Sequence, residues 1–183
     1  MNIYVFDKTN NNILLLLELL KKDYSLELTE NNIIYGKNKK PKIDKCNICF
    51  NMSHTANILV IAVSYVEVGV DIEKIIKQKL IISNRIFTKN EIACLNRYNT
   101  EFVYYYLWTR KEAYIKKLSE TVFYVFNKVD ILKEKFIFSF SFKINNELFM
   151  LSVASNDDSI HIFDKRKNSD KKEEIKCKLI NII

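Results

Sequence analysis

The sequence predicts a mixed α+β fold, and two apolar patterns with the signals between them predict it. Short runs rich in Ile, Val and Phe, such as Val60-Ile61-Ala62-Val63, have strand length and strand composition. Longer segments with apolar residues at three- and four-residue intervals have the helical period. Helix-start signals separate the two patterns. Thr88 with Glu91 three residues later is a capping box, and Thr100 stands before a second helical stretch.

In order along the chain, residues 1–6 alternate as a strand and residues 12–22 carry an apolar helical face. Residues 46–50, 57–64 and 67–71 are expected as successive strands. The capping box opens a helix through about residue 98, and Thr100 caps one that ends near residue 118. Residues 122–126, 135–143, 147–154 and 159–163 are expected as antiparallel strands, with Asn145-Asn146 at a turn. Residues 164–178 are mostly charged and read as a solvated helix or a frayed end.

Composition narrows the function. The formal charge is +7, but only Arg85, Arg97, Arg110 and Arg166 among the 29 basic residues are arginine, which points to coding bias rather than to nucleic acid. Tyr104, Tyr105 and Tyr106 lie on a predicted helix and cannot all face one ligand, and no nucleic-acid motif is present. No apolar stretch is long enough to span a bilayer, and the N-terminus lacks signal-peptide features, so a cytoplasmic protein is expected. Cys46 and Cys49 form a C-x-x-C without a second ligand pair at metal spacing and read as ordinary strand residues.

Two separated segments carry chemistry. In Gly69-Val70-Asp71-Ile72-Glu73 the two carboxylates are two apart at a strand end, so they project to one face. In Trp108-Thr109-Arg110-Lys111-Glu112-Ala113-Tyr114-Ile115-Lys116, Glu112 and Lys116 are four apart and stack on one helical face. Clustered carboxylates repel unless a cation neutralises them. Oxygen ligands of this kind suit Mg²⁺, which pairs one or two carboxylates with waters and substrate phosphates.

These residues resemble the 4'-phosphopantetheinyl transferase family, whose pattern is G-[VI]-D-x-E, a spacer, then W-[ST]-x-K-E-[AS]-x-x-K. Gly69, Val70, Asp71, Glu73, Trp108, Thr109, Lys111, Glu112, Ala113 and Lys116 match it. Three further stretches are similar to family elements: Tyr35-Gly36-Lys37, Phe50-Asn51-Met52-Ser53-His54-Thr55, and Arg85-Ile86-Phe87-Thr88 with Glu91. Asn38 stands where the family usually has proline, and Lys117-Leu118-Ser119-Glu120 replaces a common Gly-x-Gly turn.

The resemblance is closest to the two-lobed class that activates peptide and polyketide synthases. It implies two similar α+β lobes related by a pseudo-twofold axis with the active site between them. The expected division is a shortened N-terminal lobe over 1–66, a C-terminal lobe with the metal site over 67–163, and a charged tail over 164–183. The implied reaction moves the 4'-phosphopantetheine arm of coenzyme A onto a serine of an apo acyl, peptidyl or polyketide carrier protein and releases 3',5'-ADP. The implied cofactor is Mg²⁺ or Mn²⁺, with coenzyme A as co-substrate. By the same resemblance Asp71, Glu73 and Glu112 are metal ligands, and Glu112 and Lys116 are catalytic. Lys37, Ser53, His54, Lys111 and Lys116 are implied to contact the nucleotide and phosphates. A monomer is expected, with no nucleic-acid or membrane partner. The alternatives are a non-catalytic coenzyme A or nucleotide-binding relative, against which the intact acidic triad argues, and a basic nucleic-acid-binding domain. An acidic carrier helix is expected to dock on residues 74–85, with Lys77, Lys79, Ile82 and Arg85 as candidates.

Overall fold

The computed structural model describes residues 1–78, 82–166 and 178–180. Its strands are β1 (Asn2–Asp7), β2 (Ile33–Tyr35), β3 (Pro41–Ile43), β4 (Cys49–Thr55), β5 (Ile58–Ser64), β6 (Val68–Lys74), β7 (Ile137–Ile144), β8 (Glu147–Ser155), β9 (His161–Asp164) and β10 (Lys178–Leu179). Its helices are α1 (Asn12–Tyr24), α2 (Lys89–Tyr98), α3 (Glu101–Leu118) and the short α4 (Val122–Val125). Among the described residues no helix is long and apolar enough to cross a membrane.

The predicted caps form. Thr88 accepts the Glu91 N–H while Glu91 accepts the Thr88 N–H, and Thr100 accepts the Val103 N–H at the start of α3. Asn145 and Asn146 both adopt left-handed backbone between β7 and β8, the conformation that a two-residue hairpin turn requires.

Three expected elements differ. The strand expected over 46–50 begins only at Cys49 and extends to Thr55, because its ladder with β5 is set by the turn at 56–57 and runs from Thr55↔Ile58 to Cys49↔Ser64. Residues 122–126 carry β-branched and aromatic side chains, yet Val122–Val125 is a helical turn. This turn follows the left-handed cap at Ser119 and seats the fully buried Val125, a tertiary contact that overrides propensity. Within 159–163 the strand is real but not antiparallel: β9 runs parallel to β1, on the side that β5 leaves free. Residues 167–177 of the charged stretch lie outside the described residues, and Lys178–Leu179 pairs with β7.

The strands build two four-stranded sheets, ordered β4-β5-β1-β9 and β10-β7-β8-β6, with β2-β3 as a separate hairpin. Strand alternation sorts the side chains into layers. Tyr4, Phe6, Leu59, Ile61 and Val63 face α1 and meet Leu16, Leu19 and Leu20. Ile3, Val5, Val60 and Ala62 face the other way and pack between the sheets against Val70, Ile72, Phe142, Leu151 and Val153. Leu107 and Ala113 of α3 close the far side on Met150 and Ala154. A one-residue register slip in β1 or β5 would exchange these layers. Each large side chain would then lose about 1.5–3 kcal/mol of its burial.

β4 and β6 are edge strands of different sheets, and they lie side by side where the sheets meet. Asp71, Glu73 and Ser53 stand along this junction, and Glu112 and Lys116 on the helix that packs on it.

Candidate active site

Gly69 lets α3 reach β6. A β-carbon there would stand 2.1 Å from the Ala113 carbonyl oxygen and 2.3 Å from the Lys117 nitrogen, so the helix backbone rests directly on the strand. On β6, Val70 and Ile72 enter the core between the sheets, and alternation turns Asp71 and Glu73 to the other face. On α3, Glu112 and Lys116 flank Ala113. Packing against Gly69 thus carries both charged helix residues to the strand carboxylates.

Asp71 is the centre of the arrangement. Lys116 Nζ donates to its Oδ1 at 2.7 Å, Ser53 Oγ donates to the same oxygen at 2.8 Å, and Lys116 also donates to Ser53 Oγ at 3.0 Å. Among the described residues the other oxygen, Oδ2, is buried with no hydrogen-bond partner. Burial raises the Asp71 carboxyl above its ordinary range, although Lys116 and Ser53 pull it down. Burial and the Asp71 charge raise Glu73. Burial, then Asp71, and more weakly Glu73 raise Glu112, with Lys116 opposing. Three carboxylates feel one another, and one ammonium partly neutralises them.

Thr55 Oγ1 donates to Glu73 Oε2 at 3.2 Å. His54, next to Ser53 on β4, points to the opposite face and is exposed. Lys37 is exposed and pairs with Glu120 just past α3. Lys111 is not brought to the site: its ammonium is fully buried against Glu91 at 2.9 Å and donates to the Val129 carbonyl. Glu91 also accepts the Thr88 and Ile131 N–H groups, which makes the pair a structural hub. Trp108 stacks on Tyr104 and packs against Phe126 as a core anchor.

Sequence reasoning missed three residues. Lys40 is buried and its ammonium meets Glu67, the Val68 carbonyl and the Lys117 carbonyl, tying the β2-β3 hairpin to β6 and α3 together. Nothing singles it out among the lysines of 37–45. Asn51 Oδ1 accepts the Val70 N–H, and Thr55 Oγ1 accepts the Lys74 N–H. Their signal was available, since Asn51, Ser53 and Thr55 make a polar row at strand period, the first two alternating with apolar Phe50 and Met52.

Among the described residues no three side chains of the His, Cys, Asp and Glu set stand close enough to enclose a metal ion unaided. The donor set nevertheless fits a hard divalent cation that keeps part of its water shell. An orphaned, buried carboxylate oxygen on Asp71 and two further carboxylates raised by burial and then by the Asp71 charge are what such an ion relieves.

Comparison with known proteins identifies the family. Residues 67–163, which carry β6, α3 and every carboxylate of the site, match the 4'-phosphopantetheinyl transferase superfamily. The 4'-phosphopantetheinyl transferase gsp of Aneurinibacillus migulanus is 34% identical over 129 residues, 66% of this chain and 54% of that protein. The 4'-phosphopantetheinyl transferase ffp of Bacillus subtilis is 38% identical over 86 residues, 45% of this chain and 38% of that protein. The 4'-phosphopantetheinyl transferase Sfp of Bacillus subtilis strain 168 is 29% identical over 103 residues, covering 54% and 46% of the two chains. The chain spans about half the length of these relatives or less. With more than half of its residues inside the matched region, the chain belongs to the 4'-phosphopantetheinyl transferase superfamily.

Proposed function

We propose that the chain transfers the 4'-phosphopantetheine arm of coenzyme A to a serine of an apo acyl, peptidyl or polyketide carrier protein, with Mg²⁺ as cofactor and 3',5'-ADP as leaving product. The observation that carries the reading is the convergence of Asp71, Ser53 and Lys116, with Glu73 and Glu112 close enough to feel the same charge. The names of the relatives support the reaction class.

Asp71, Glu73 and Glu112 would hold the cation, which when bound neutralises pyrophosphate charge. The serine oxygen bonds to the β-phosphorus of coenzyme A, and the bond from that phosphorus to the bridging oxygen breaks. The electron pair leaves with 3',5'-ADP. Glu112, half-buried and with its pKa raised, is the carboxylate suited to take the serine proton. Lys116, already at Asp71 through a flexible stem, is the ammonium placed to meet the leaving phosphate.

The two sheets, each of four strands with a helix on its outer face, support reading them as two similar lobes with the site at their junction. For carrier docking, Lys77 and its neighbour Ile76 are exposed, as is Arg85, whereas Ile82 packs against the α3 core and Lys79 lies outside the described residues. An acidic helix would meet the charges and Ile76 would add apolar contact.

Intact-mass analysis of several apo carrier proteins after incubation with this chain, coenzyme A and Mg²⁺ tests the reading. The expected result is a phosphopantetheine mass gain that chelation abolishes. Unchanged carriers with folded protein would overturn it.

A further inference from the structure

β4 and β6 meet with a constant offset. Ser53 faces Asp71 and Thr55 faces Glu73, while Asn51 reaches Val70 N and Thr55 reaches Lys74 N. Residue numbers rise together, so the two edges run parallel, yet the sheet orders keep them in separate sheets. Two of the four contacts cap main-chain N–H groups of an edge strand, which are costly to leave unpaired when buried. The other two end on carboxylates of the site. Thr55 does both at once through one hydroxyl, accepting from Lys74 N at 3.4 Å and donating to Glu73 Oε2.

We propose that Asn51 and Thr55 are positioning residues for the metal-binding carboxylates, their side chains replacing the missing main-chain ladder between the sheets and fixing where Asp71 and Glu73 stand. This rests on the reading of Asp71 and Glu73 as cation ligands. A hydrogen bond from a fixed neutral donor orients a carboxylate, as Thr55 does for Glu73 and Ser53 for Asp71. Partners that hold metal ligands in this way typically change metal affinity about 10–100-fold when removed. Asn51 acts one step further back, since it fixes the backbone of Val70 immediately before Asp71. Valine has the shape of threonine without the hydroxyl, so Thr55→Val removes both bonds of Thr55 while leaving the strand's volume unchanged.

The test is a Mn²⁺ titration of the whole chain without coenzyme A, read from the electron paramagnetic resonance signal of free Mn²⁺, with thermal midpoints recorded in parallel. Wild type is expected to bind and Asp71→Ala not to bind. If wild type does not bind Mn²⁺, the reading of the carboxylates as ligands fails, and this inference with it. If wild type binds, Thr55→Val is expected to weaken binding about tenfold with a thermal midpoint within a few degrees of wild type, and Thr55→Ser to restore it. Unchanged Mn²⁺ affinity in Thr55→Val, or no rescue by Thr55→Ser, would leave the carboxylate reading standing and overturn the positioning role.

Discussion

Gly69 and Ala113 are in main-chain contact: the helix carbonyl of Ala113 occupies the space where a side chain on Gly69 would begin. The obstacle is backbone rather than a flexible side-chain end, so it cannot swing aside. Gly69→Ala should therefore lift α3 from β6 and cost at least about 3 kcal/mol, the upper range for overpacking. Urea unfolding measures the loss, and a midpoint equal to wild type would show that the helix yields freely.

Asp71→Asn should separate binding from stability. The Asp71 carboxyl is raised by burial, so its charged form is a burden on the fold, and its removal also relieves Glu73 and Glu112. Stability should stay within about 1 kcal/mol of wild type while transfer to the carrier is lost. Thermal unfolding beside the mass assay checks both halves.

Lys116→Met should have the opposite signature without metal. It leaves a buried carboxylate without its ammonium partner, at a cost of about 2–3 kcal/mol. Added Mg²⁺ should raise the thermal midpoint of this variant more than that of wild type. Equal shifts would mean that Asp71 does not see the cation.

Glu67 supplies a pH dependence. Burial pushes its carboxyl up, but the hydrogen bond and charge of Lys40 and the charge of Lys42 outweigh this, and the net shift is downward. A depressed carboxyl stabilises the fold above its ordinary range, near about 4.3, and the contribution fades as pH falls through the lower folded value. Glu67 is almost half exposed, so solvent screens the effect to less than about 1 kcal/mol at pH 7. Urea midpoints of wild type and Glu67→Gln should differ at pH 7 and coincide near about pH 3.

Lys111→Met should behave as a fold mutation. It leaves Glu91 buried with its charge unpaired, a loss of about 3–5 kcal/mol. The double variant Glu91→Gln with Lys111→Met should recover much of it and bind coenzyme A as wild type does, by calorimetry. Weak binding in a stable double variant would return Lys111 to the nucleotide.

Much of the site was legible because it depends on local periods. Asp71 with Glu73 and Glu112 with Lys116 share faces by strand and helix geometry alone, and the caps at Thr88 and Thr100 need only four residues each. Lys111, one step from Glu112 on the helix, points about 100° away, toward α2 and Glu91, a partner that local spacing does not announce. The same logic separates His54 from Ser53. The meeting of β4 with β6, the clamp at Lys40 and the parallel seat of β9 join distant segments, and no local pattern encodes them.

That seat has a consequence for how the chain is made. The neighbour of β1 on one side is β9, more than 150 residues later in the chain. The first sheet can be completed only after nearly all the described chain has emerged, and contacts of such separation slow folding. A fragment holding only residues 67–163 would contain most of β9 but not β1, the strand it pairs with. The region that carries the superfamily match should thus express as an insoluble or molten fragment unless residues 1–66 are supplied with it.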